Sequence, residues 1–261
     1  MIDITQRVLN KLIQKGIHKN NFFNLIDAEF DKNTTIDILQ AQGLPIIENN
    51  NILSLKTSNI KIDEAEFSIF DIETNGSKPS KDQIIEIGIV KFKNNTIIDV
   101  YESLVHANYL PKNIAKITSI SLEDLQKAPK LSTVIQEVKS FIQDTTLIAH
   151  NAKFDYKFLS EMMKQNNLGQ LHNRHFCSID LAERTIQSKK YGLQYLNDTL
   201  NLHSDATHHR ALSDAITTTE LFKIILQNLP KDIKSVEDLI LFSKQGKRLK
   251  YRDENKEERG D

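Results

Sequence analysis

The chain has 261 residues, 39% hydrophobic and 26% charged, which is enough for one sizeable apolar core plus an accessory module. No apolar run approaches the roughly 20 residues that cross a bilayer, and Met1-Ile2-Asp3-Ile4-Thr5 is not a basic region followed by an apolar stretch, so a soluble cytoplasmic protein with no membrane partner is expected. A formal net charge of -1 argues against coating a polyanion by bulk electrostatics, and the lone Cys177 cannot make an internal disulfide, which suits a reducing compartment.

Residues 1–62 read as a separate small unit. Ile4, Val8, Leu9, Leu12 and Ile13 recur at helical spacing over 4–15, closed by Gly16, and short helices fit 21–29 and 35–41. The apolar runs 44–47 and 52–55, separated by Glu48-Asn49-Asn50-Asn51, predict a hairpin. Three helices and a hairpin resemble a winged helix in pattern. Residues 1–60 hold as many acidic as basic side chains, however, so a packing or protein-binding role is expected ahead of DNA reading.

From residue 66 the pattern turns to strands. Residues 67–70, 84–92 and 96–105 are rich in Ile, Val and Phe, with Asn94-Asn95 as the turn of a meander. A helical stripe over 131–142 precedes a short buried strand at 146–149, and helices fit about 156–165, 193–200 and 211–229. The expected architecture for 63–230 is α/β, a mixed sheet flanked by helices. Residues 231–261 read as a tail. It has a short helix over 235–242 capped by Ser235, then a basic run (Lys244, Lys247, Arg248, Lys250, Arg252), then a polar end expected to be disordered.

Three acidic segments carry the chemistry. In Phe70-Asp71-Ile72-Glu73-Thr74 the two carboxylates stand two apart on a strand, so both reach one face while Ile72 turns to the core. Gly76 behind them permits a sharp turn and close approach of backbone to a ligand. In His150-Asn151-Ala152-Lys153-Phe154-Asp155 the acid sits near a helix start beyond the carboxyl end of a strand, where ligand sites of such sheets gather; His150 reads as a core histidine satisfied by backbone. In His209-Arg210-Ala211-Leu212-Ser213-Asp214 the five-residue spacing puts His209 and Asp214 about 140° apart on a helix. His209 is therefore placed in the loop and Asp214 in the helix. Four carboxylates and an imidazole suit two divalent cations around a phosphodiester and a proton acceptor for water, and so a metal-dependent nuclease.

Asp71-x-Glu73-Thr74-Asn75-Gly76, His150-Asn151-Ala152-x-Phe154-Asp155-x-x-Phe158-Leu159 and His209-x-Ala211-Leu212-x-Asp214-Ala215 resemble the three motifs of DEDD-superfamily 3′–5′ exonucleases of the histidine subtype. The resemblance spans about residues 66–229 and is nearest to the DnaQ-like group that includes the proofreading epsilon subunit of bacterial DNA polymerase III. It implies a ribonuclease H-like fold and release of nucleoside 5′-monophosphates from 3′ ends, DNA ahead of RNA, with a polymerase catalytic subunit as partner. It implies two Mg²⁺ or Mn²⁺ ions on Asp71, Glu73, Asp155 and Asp214, with His209 as general base. It also puts Thr74, Asn75, Gly76, Asn151 and Phe154 against the terminal nucleotides. Relatives often have Gly where Ser119 stands. An exoribonuclease of the same fold is the alternative, because carboxylates read metal and phosphate rather than sugar; a non-catalytic nucleic-acid-binding subunit is the other.

Overall fold

The computed structural model describes residues 4–251, so the polar end expected to be disordered, together with Arg252 of the basic run, lies outside the described residues. Its first elements are α1 (Gln6–Gln14), β1 (Ile17–His18), α2 (Lys19–Phe23), α3 (Lys32–Ala41), β2 (Ile46–Asn49) and β3 (Ile52–Leu55). Thr5 and Asp31 cap α1 and α3 through their side-chain oxygens. The expected hairpin is present, with Asn50 and Asn51 at positive φ in its turn, and β1 joins it to make a three-stranded sheet. Two residues leave too little alternation for β1 to show in the sequence. The helix expected over 21–29 is displaced: α2 starts at Lys19, where His18 Nδ1 accepts from Asn20 N, and ends at Phe23. Val8, Leu12, Phe22, Leu39, Leu53 and Leu55 bury in an apolar cluster drawn from these elements alone.

The larger sheet holds β4 (Phe67–Thr74), β5 (Ile84–Lys93), β6 (Thr96–Leu104), β7 (Thr146–Ala149) and β8 (His175–Cys177) in the order β6-β5-β4-β7-β8. β4, β5 and β6 form the antiparallel meander, while β7 lies parallel to β4 and β8 parallel to β7. Helices α4 (Lys112–Thr118), α5 (Leu122–Lys127), α6 (Leu131–Ile142), α7 (Ala152–Gln165), α8 (Ser178–Thr185), α9 (Leu193–Leu200), α10 (Ala211–Gln227) and α11 (Val236–Gln245) complete it. The period of two along β4 sorts its side chains. Phe70 and Ile72 join the cluster under α6 and α7, whereas Phe67 and Ile69 join the one under α8, α10 and α11. Asp71 and Glu73 share parity with Phe67 and Ile69, so they emerge on the face that α10 covers. The fold is the ribonuclease H-like arrangement that the motifs imply.

Of the segment read as a tail, residues 236–245 are part of this core. Val236, Leu239 and Ile240 of α11 are buried against β8 and α8. Glu237, itself buried, accepts a fork from Arg174 at 2.6 and 2.7 Å and a bond from Thr57 Oγ1 at 2.8 Å, tying the first unit to the second. The chain after α11 runs along α8, with Leu249 N on Glu183 O and Arg248 Nε 2.9 Å from the Glu183 carboxylate. The basic run is thus partly neutralised in place. Among the described residues no helix is long and apolar enough to cross a membrane.

Candidate active site

Four elements converge at the carboxyl end of β4. Asp71 pairs with Gly88 and Glu73 with Glu86 across the β4–β5 ladder, and a register shift follows between Glu73 and Thr74. A Cβ built on Gly88 would lie 2.2 Å from Leu212 N and 2.4 Å from the Ala211 carbonyl carbon. Only glycine opposite Asp71 lets the first turn of α10 lie directly on the sheet. That turn carries Asp214, which is 9% exposed.

β7 pairs with β4 only as far as Ile69–Ile148, leaving the end of β4 free on that edge. Asp155, in the first turn of α7, accepts there from the Ile72 backbone N–H and so comes beside Asp71 although its helix packs on the opposite face. α7 starts at Ala152, four residues before the expected 156, because Asn151 takes a left-handed conformation (φ 83°) as its cap.

His209 stands in the loop before α10, as its spacing to Asp214 requires, at φ 60°. Its backbone N–H donates to Asp214 Oδ2 at 3.0 Å. One ligand atom each from Glu73, His209 and Asp214 lie within 4.8 Å of one another. His208 also approaches, with Nδ1 3.8 Å from Asp214 Oδ1.

The electrostatics are those of negative charge gathered without a cation. Burial first, then Asp155, Asp214, Glu73 and Glu86, hold the Asp71 carboxyl well above the usual range. Burial, with Asp214 next, pushes Glu73 from 4.5 up to about 8, and burial raises Asp155 and Asp214. Asp214 Oδ1 is buried, and among the described residues it has no hydrogen-bond partner. An orphaned carboxylate oxygen inside a cluster of acids fits a divalent cation with oxygen ligands, so Asp71, Glu73, Asp155 and Asp214 can hold one or two.

The residues expected around the terminal nucleotide lie at the end of β4 and the start of α7. Thr74 is buried and its hydroxyl donates to Gly76 O at 2.7 Å; the Asn75 side chain accepts from Gln83 N and donates to Tyr109 O. The space that Gly76 leaves is filled by the Asp82 carboxylate, whose atoms lie within 2.6 Å of where a Cβ would stand. Gly76 therefore sits in a packed turn. Asn151 is exposed, and Phe154 is half-buried against Phe158 at 5.0 Å. His150 contacts Ser178 Oγ at 2.9 Å and Tyr191 O at 2.8 Å, and burial depresses it to about 4, so it is a neutral clamp. Ser119 sits at φ 59°, the left-handed region that glycine occupies without strain, so the glycine that the resemblance leads one to expect there would fit this backbone.

Glu86 was not singled out from sequence. Only 4% exposed, it accepts from Arg210 Nη2 at 2.8 Å and Nε at 3.0 Å, and from the Ala211 N–H at 3.0 Å, anchoring the His209 loop and capping α10 at once. A single acid inside the apolar run Ile84-Ile85-Glu86-Ile87 was the signal available.

A family model described as Exonuclease (RNase_T) matches residues 68–222. A DNA polymerase III PolC-type of Caldanaerobacter subterraneus subsp. tengcongensis is 34% identical over 203 residues, which is 76% of this chain and 14% of that protein. A 3′-5′ exonuclease DinG of Staphylococcus aureus is 33% identical over 190 residues, 72% of this chain and 21% of that protein. The chain thus spans under a quarter of the length of these relatives. Among solved structures, E. coli exonuclease I in complex with a dT13 oligonucleotide superimposes with TM-score 0.57 at 15% identity, over 63% of this chain and 42% of that one. Exonuclease X in complex with 5′ overhanging duplex DNA gives 0.54 at 24% identity, over 68% and 99%. Both share the fold.

Proposed function

This chain belongs to the exonuclease family matched over residues 68–222, and from that membership we propose that it removes nucleotides from the 3′ ends of DNA and proofreads beside a DNA polymerase. The observation that supports the activity is the gathering of Asp71, Glu73, Asp155 and Asp214, all raised by burial and Asp71 and Glu73 also by their acidic neighbours, with His209 beside Glu73 and Asp214. The catalytic unit comprises 63–230 together with α11.

Divalent cations, Mg²⁺ or Mn²⁺, would supply positive charge for the phosphate and acidify an attacking water when held by these carboxylates. The remaining work falls to the chain. His209, held by its own N–H on Asp214 and by Arg210 on Glu86, faces the carboxylates with an imidazole able to take a proton from water. Glu86, whose carboxylate is taken up by Arg210 and the Ala211 N–H, fixes that imidazole's backbone. Attack at the terminal phosphodiester breaks its bond to the 3′ oxygen of the penultimate nucleotide and releases a nucleoside 5′-monophosphate. Likeness to PolC-type polymerases at 34% identity supports DNA and a polymerase partner.

The test is release of mononucleotides from 3′-labelled single strands, DNA and RNA in parallel, paired and mismatched, by wild type, Asp214→Ala and His209→Ala. Loss in both variants is expected, with DNA preferred and mismatched ends cut faster. Equal rates in all three proteins would end the assignment. Faster RNA trimming would redirect it to an exoribonuclease.

A further inference from the structure

At the end of the sheet remote from the carboxylates lies a cavity of about 560 Å³, walled by the last turns of α10, the β5–β6 turn at Asn94-Asn95, and two segments joined by a backbone bridge, residues 61–63 and 230–234. Its floor is aliphatic. Ile62, Leu226, Leu229 and Ile233 are each half-buried there, and Phe92 beneath them is 1% exposed. Its rim is cationic: Lys61, Lys223, Lys231 and Lys234 surround it against one lining acid, Asp63. Lys61 reaches Glu64 in an exposed pair worth little and Lys223 reaches Glu220 in a half-buried one at 2.8 Å, whereas Lys231 and Lys234 make no ion pair among the described residues and carry the free charge of the rim.

An aliphatic floor ringed by ammonium groups selects what can cover it, because charge complementarity sets which partner is admitted. We infer that this cavity docks a peptide segment of a partner protein in which acidic residues flank one or two bulky apolar side chains. A nucleic acid strand would match the lysines but not the floor, which offers aliphatic side chains where strands seek aromatic faces for their bases. A basic segment would meet the wrong charge. The volume is within the usual range of about 300–1,000 Å³ for pockets that bury anchoring groups.

Position fits a docking role. Leu226 lies twelve positions after Asp214 on the same helix, about 18 Å away at 1.5 Å per residue, so a docked partner leaves the catalytic end of the sheet open. The wall formed by Ile62 N on Lys234 O at 3.1 Å belongs to the junction of the two units, so a partner seated there touches both. This inference does not rest on the exonuclease reading.

The experiment is fluorescence anisotropy with the full chain and short fluorescein-labelled peptides. One probe has leucine and phenylalanine flanked by aspartates and glutamates. A second replaces its apolar residues by serine, and a third replaces its acids by lysine. Only the first should bind, more weakly as salt rises, and the double variant Lys231→Glu/Lys234→Glu should weaken it by about tenfold or more. Leu226→Gln should weaken it without that salt dependence changing. Melting temperature and strand degradation by the lysine variant should match wild type, which separates lost docking from lost fold or lost catalysis. The inference is overturned by no binding of the first probe, by equal binding of all three, or by an unchanged affinity after charge reversal. It is equally overturned if a single-stranded oligonucleotide displaces the peptide, which would make the rim a phosphate track, or if the cavity is found closed by a second copy of the chain.

Discussion

Replacing Gly88 by alanine tests how the site is assembled. The added Cβ would stand 2.2 Å from Leu212 N and 2.3 Å from Leu212 Cα, where ordinary contact begins near 3.4 Å. Since 3.4 − 2.2 = 1.2, the first turn of α10 has to retreat by about 1.2 Å, and these are backbone atoms that cannot rotate away. Such overpacking costs about 1–3 kcal/mol of stability. The larger effect is on geometry. Asp214 and the His209 loop ride on that turn while Asp71, opposite Gly88 in the ladder, stays with the sheet. A displacement near 1 Å between reacting groups lowers rates on the order of 100-fold. Urea denaturation followed by circular dichroism gives the first quantity, and single-turnover release of mononucleotides at saturating Mn²⁺ gives the second. Gly192→Ala serves as control, since nothing lies within 4 Å of a Cβ there. Should Gly88→Ala match Gly192→Ala in both midpoint and rate, the close approach of α10 to the sheet is not what sets the site.

Metal-free protein should lose stability as pH rises. Glu73 is raised from 4.5 to about 8, so the folded state holds a proton that the unfolded chain releases, and stability present below about pH 4.5 is lost progressively up to about pH 8. Melting curves in chelator at both ends of this window, with Mn²⁺ restoring the loss at the upper end, check this; a melting temperature indifferent to pH refutes it. Burial first, and neighbouring carboxylates second, disfavour an ionised Asp71, so Asp71→Asn should raise the metal-free melting temperature at high pH while abolishing activity, and a lowered one there would mean that an ionised carboxylate costs nothing at this position. Glu237→Ala leaves Arg174 buried without its partner and frees Thr57, so it should cost about 3–5 kcal/mol and expose the 55–65 junction to limited proteolysis; wild-type resistance counts against this tie between the units.

The placement of the candidate acids and imidazole on their elements is legible in the sequence because strand parity and helix period act locally, while their proposed roles come from the resemblance of the three motifs. Two-residue spacing fixed Asp71 and Glu73 to one face, five-residue spacing separated His209 from Asp214, and the apolar runs around them set the α/β architecture. What tertiary structure alone decided is how remote segments meet. The sequence does not state that Asp155, on the helix layer opposite α10, turns back over the free edge of β4, because that depends on β7 pairing no further than Ile69. It does not reveal Glu86 as the anchor of Arg210, since a fork spanning 124 positions leaves no periodic trace. Nor does it show that residues 236–245 belong to the core: the stripe Val236, Leu239, Ile240 is too short to declare itself, and only β8 and α8 supply the surface that it covers. Periodicity records which side of an element avoids water, whereas the identity of the partner across the gap is fixed only when the whole chain has packed.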